Sequence, residues 1–98
     1  MVKAVLCKEY GMPDGLVIEQ IEPLQPADNE VVVAVKACSV NFPDTLIIQG
    51  KYQYKPPLPF SPGCEVSGTV ARVGANISHF KPGDRVIGSP GWGGFAER

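Results

Sequence analysis

Residues 40–68, VNFPDTLIIQGKYQYKPPLPFSPGCEVSG, decide how this chain folds. They follow the run VVVAVKACSV, whose β-branched residues and partial alternation predict a strand from Val31 to Val40, buried over much of its length. At Asn41 the pattern changes. A carboxamide there can cap a helix by accepting from the N–H groups that follow, and Pro43 stands near the first turn, where its missing N–H is not needed. A short helix is expected through about Gln49, with Gly50 as its C′ stop. In KYQYKPPLPF, residues 51–60, three prolines remove donors and restrict φ, so the segment must wrap a surface. Strand character returns from Glu65 to Val73.

Outward from this stretch the punctuation is regular. Val2 to Leu6 and Leu16 to Ile21 read as a hairpin across Gly11, Pro13, Asp14 and Gly15. The turn ISHFKPGD, residues 77–84, leads to a strand beginning at Arg85 and running to Ile87, followed by GSPGWGGFAER. The predicted architecture is mainly β and barrel-like, with one short helix in the connection between two long strands.

The composition narrows the function. The 98 residues are 44% hydrophobic and 19% charged, as expected of one globular domain. The net charge of −1 offers no electrostatic pull on nucleic acid or an anionic membrane. No apolar run approaches the ~20 residues that span a bilayer, and the opening MVKAVLCKEYG lacks a secretory h-region, so a cytoplasmic protein is expected. Three cysteines, Cys7, Cys38 and Cys64, lie far apart without a C-x-x-C pair, which predicts reduced thiols.

Several residues carry candidate chemistry. Cys38, Asn41, Asp44, Cys64, Glu65 and His79 include zinc-ligand types, but their spacing does not match a closed structural site, and Cys64 reads as a packed thiol in preference to a ligand of an open one. His79 has no partner nearby in sequence and reads as a solvated imidazole. GWGGFA formally matches G-x-G-x-x-A; it follows no buried strand and reads as a loop leading into a strand. Asn41 and Asp44 admit two readings. They are a helix cap and a first-turn carboxylate, or Asn41, with Tyr52 and the proline loop, forms a cleft whose donors stabilise charge on a carbonyl oxygen.

Taken together, MVKAVLCKEYG, VVVAVKACSVNFPDTLIIQGKY, FSPGCEVSGTVARVG, FKPGDRVIG and GWGGFAE resemble the medium-chain dehydrogenase/reductase superfamily, within it the zinc-free quinone oxidoreductases related to zeta-crystallin. The resemblance covers essentially all of residues 1–98. It implies the N-terminal GroES-like catalytic-domain portion, a partly open β-barrel, with a Rossmann domain outside these residues holding most of the NADPH. Alcohol dehydrogenases of the superfamily place a zinc-binding Cys where this chain has Asn41, a proton-relay Ser or Thr at Pro43, and a zinc-binding His at Cys64. An amide is a poor zinc ligand and proline has no hydroxyl, so hydride transfer without zinc is implied.

By the same resemblance Asn41, Phe42, Pro43, Asp44, Thr45 and Leu46 approach the nicotinamide end of the cofactor, and Asn41 with Tyr52 borders a quinone or α,β-unsaturated carbonyl. Leu46 departs from the family, which often has Tyr there. The whole protein is expected to be a homodimer. The competing readings are a GroES-like binding module without activity and a zinc-dependent alcohol dehydrogenase relative.

Overall fold

The computed structural model describes all of residues 1–98. Along the chain come β1 (Val2–Leu6), a 3-10 turn (Pro13–Gly15), β2 (Val17–Ile21), β3 (Val31–Cys38), α1 (Phe42–Ile47), β4 (Val66–Val73) and β5 (Arg85–Gly88). The expected hairpin is present: β1 and β2 pair antiparallel from Val2↔Ile21 to Leu6↔Val17. Strands β3, β4 and β5 form a second antiparallel sheet in that order.

The tail joins the two sheets. Val5 N–H donates to Phe95 O at 2.8 Å and Glu97 N–H to Lys3 O at 3.0 Å, while Val35 N–H donates to Glu97 O at 2.9 Å. Residues 95–97 therefore lie between β1 and β3 and satisfy backbone groups on both. GWGGFA is indeed a loop entering an extended segment. The spatial order becomes β2, β1, residues 95–97, β3, β4, β5, with β2 and β5 left unjoined, which is the partly open barrel expected.

Several boundaries differ from the sequence reading, each for a local reason. Leu16 stays outside β2 because its N–H closes the 3-10 turn onto Pro13 O, and its side chain packs against the core. Strand β3 ends at Cys38, not Val40: two register shifts, between Val32 and Val33 and between Val35 and Ala37, bend it away from the ladder. Val40 is 76% exposed. The expected burial of β3 is also too great, since only Val32 is fully buried along it. In an open barrel the other valines are covered on one side only.

The helix is regular as far as Ile47. Beyond it Lys51 N–H donates to Leu46 O (3.0 Å) and Gly50 N–H to Ile47 O (3.2 Å), with Gly50 at φ 69°. That is the Schellman closure a C′ glycine permits. Ile47 and Ile48 bury against Cys7 and Phe60, with Leu16 and Tyr52 packed around them. The proline-rich segment returns to this core through paired backbone bonds between Cys7 and Phe60, at 2.7 and 3.1 Å. It wraps a surface, as its prolines require.

Candidate functional site

The corner between β3 and α1 is built from four segments. Asn41 stands at the helix N-cap in extended conformation, and its backbone N–H donates to Asp44 Oδ2 at 2.9 Å. The other Asp44 oxygen accepts from Gly63 N–H at 3.2 Å, and the residue is 5% exposed. One buried carboxylate thus fixes the helix entry and ties it to the loop before β4. Gly63 in turn accepts through its carbonyl from Gly94 N–H at 3.0 Å, which brings the glycine-rich tail alongside.

Asn41 is the N-cap of α1, as the sequence predicts, and forms a capping box with Asp44. Its Nδ2 also donates to Ser39 Oγ at 2.8 Å and to Cys64 Sγ at 3.5 Å, so the NH₂ end of the carboxamide is turned toward the loop. An N–H···S bond is weak, and an oxygen bearing negative charge would be a much better acceptor for the same donor.

Cys38 lies underneath. A Cβ placed on Gly63 or Gly94 would fall 3.0 or 2.9 Å from Cys38 Sγ, so the thiol fills the space that those glycines leave. Burial pushes the Cys38 thiol above its usual range, and the negative charge of Asp44 adds to the effect. It is poorly suited to act as a nucleophile.

The other residues expected at the cofactor edge are displayed unequally. Phe42 is 73% exposed, whereas Pro43, Thr45 and Leu46 are half-buried. Thr45 Oγ1 donates to Phe42 O within the helix at 2.7 Å. Both oxygens of Asp44 accept from backbone N–H groups, so it acts as a strut across the corner. Residues 41–46 include no cation and no glycine-rich phosphate cradle, so they offer nothing to hold a phosphate.

Tyr52 belongs to a neighbouring row. Half-buried against Ile47, Ile48 and Phe60, it meets Tyr54 edge to face with centroids 5.5 Å apart, and Tyr54 lies 6.2 Å from Trp92. The sequence reading passed over Ser39, Tyr54 and Trp92; a solitary tryptophan between glycines was the available signal for the last. The cavities of about 640, 230 and 520 Å³ are not lined by residues 41–46 or Tyr52. His79 is exposed and lies against Phe80, away from this group. No helix of the chain is long and apolar enough to cross a membrane.

Comparison with known proteins gives the family. The model of the alcohol dehydrogenase GroES-like domain matches residues 27–98. Quinone oxidoreductase-like protein 2 of Bos taurus is 48% identical over 95 residues, covering 97% of this chain and 27% of that protein. The solved quinone oxidoreductase of Pseudomonas syringae pv. Tomato DC3000 superposes with a TM-score of 0.92 at 38% identity, covering 99% of this chain and 30% of that one. Escherichia coli quinone oxidoreductase, solved in complex with NADPH, gives 0.83 at 35% identity, with 97% and 28% covered. The chain spans less than a third of the length of these relatives. It belongs to the alcohol dehydrogenase GroES-like domain family, on the quinone oxidoreductase branch of the medium-chain dehydrogenase/reductase superfamily.

Proposed function

We propose that this chain is the N-terminal catalytic-domain part of an NADPH-dependent quinone or enone reductase that works without zinc. The observation that carries the reading is the Nδ2 of Asn41, 3.5 Å from Cys64 Sγ. These are the two positions that resemblance to the alcohol dehydrogenases assigns to a Cys and a His on zinc. Their side chains meet here too, but as an amide and a thiol joined by a hydrogen bond.

NADPH, when bound, supplies the hydride; the relative from Escherichia coli, solved with it, supports that choice. Asn41 exchanges its bond to sulfur for one to the acceptor's carbonyl oxygen as that oxygen gains charge. Asp44 holds the corner still while this happens, and the exposed Phe42 helps keep water from the nicotinamide edge. Pro43 offers no hydroxyl for a proton relay, so the proton reaching the reduced oxygen comes from solvent. The whole protein acts in the cytoplasm as a homodimer, with most of the cofactor held by a Rossmann domain outside these residues.

The test is Asn41→Ala in the full-length protein. Quinone-dependent NADPH oxidation is expected to lose about tenfold or more in kcat/KM, the scale of one charge-stabilising donor. Unchanged kinetics would reduce Asn41 to a corner residue. Elemental analysis of the same preparation is expected to find no stoichiometric zinc.

A further inference from the structure

The aromatic row beside the corner has no part in the chemistry assigned above. Tyr54 and Trp92 are 49% and 39% exposed, and Trp92 is the one tryptophan in the sequence. It stands between Gly91 and Gly93, so no adjacent side chain shields the indole; a Cβ at either glycine would meet nothing within 4 Å. The loop is nevertheless anchored. Gly93 N–H donates to Ser61 O at 2.6 Å and Gly94 N–H to Gly63 O at 3.0 Å, beside the Cys64 that Asn41 touches.

We propose that Trp92, backed by Tyr54, is the platform on which a flat, fused-ring quinone rests while its carbonyl meets Asn41. This makes Trp92 a specificity-determining residue, and the proposal rests on the reductase function above. An electron-rich indole favours offset stacking with an electron-poor ring, and Tyr54 at 6.2 Å and 51° buttresses it from the side. An open-chain enone offers far less face to the same surface. The platform therefore selects by ring area, and Asn41 acts on whichever carbonyl is delivered.

The test uses the full-length protein with 2-methyl-1,4-naphthoquinone and but-3-en-2-one as acceptors. Trp92→Ala is expected to raise the ratio of the naphthoquinone KM to the enone KM about tenfold, the scale of a lost stacking contact. Trp92→Phe keeps a ring and restores most of the ratio, and Tyr54→Ala shifts it in the same direction as Trp92→Ala, by less. Without NADPH, the tryptophan emission that disappears in Trp92→Phe should be quenched saturably by the naphthoquinone, and still so in Asn41→Ala. Saturable quenching in a protein with no reductase activity upholds the platform and removes the function. Reductase activity with an unchanged KM ratio and quenching that never saturates overturns the platform and leaves the function.

Discussion

Replacing Asp44 by alanine should unfold the corner before it affects any ligand. Its carboxylate accepts from Asn41 N–H at 2.9 Å and from Gly63 N–H at 3.2 Å, and only 5% of the residue reaches solvent. Each hydrogen bond to a charged acceptor contributes about 1.5–3 kcal/mol. Water can reach the partly buried Asn41 N–H after truncation, so that bond counts at the low end. The buried Gly63 N–H would be left without a partner, which costs a further ~1–3 kcal/mol in place of the bond's simple loss. The expected destabilisation is about 3 kcal/mol, a large share of the ~5–15 kcal/mol that holds a domain folded.

Urea denaturation followed by far-UV circular dichroism measures this directly. For a domain of this size it corresponds to a melting temperature lower by about 12–24 °C. Asp44→Asn keeps one acceptor oxygen but sets an NH₂ against the other donor, so it should lose roughly half as much or slightly more. A loss below about 1 kcal/mol for Asp44→Ala would refute the strut. Asp44 would then return to the cofactor edge that family resemblance gives it.

Three further outcomes are expected. Gly68→Ala would put a Cβ 2.1 Å from Ala34 O on β3, so the β3–β4 ladder must part; a loss of about 3 kcal/mol or failure to fold is expected, read from the urea midpoint. Gly50→Ala, at φ 69° and with Tyr10 ring atoms 3.2 Å from the new Cβ, should cost about 1–2 kcal/mol in the same assay. Burial pushes the thiols of Cys7 and Cys38 upward, so the unfolded chain releases these protons first: stability is full below about pH 8.5 and falls as pH rises further through the folded values. The urea midpoint should drop between pH 7.5 and 9.5, and drop less in Cys7→Ala/Cys38→Ala; equal slopes in the two proteins would contradict the burial argument.

Much of the fold is legible in residues 40–68 and their flanks because it rests on local restrictions. Pro43 and Gly50 bracket α1 through a φ that proline favours and a φ that glycine alone adopts cheaply, and both ends lie within two residues of where the chain places them. β-Branched runs mark β1, β3 and β4 for the same reason, and the turn residues between β1 and β2 set the hairpin. The end of β3 was not legible, since its register shifts answer to β4, more than thirty residues away.

The site divides along the same line. That an amide, and not a thiol, occupies the strand-to-helix corner is plain from the letter at position 41. Which atom that amide touches depends on Cys64, and the second bond that Asp44 accepts depends on Gly63, whose N–H lies 3.2 Å away. The insertion of residues 95–97 between two sheets and the seating of Trp92 against Tyr54 likewise join segments 38 to 94 residues apart. Backbone preferences act over one to four residues and can be read in order. Partners across such separations are chosen by the closing of the whole barrel, which pairs every buried N–H at once, and that choice exists only in three dimensions.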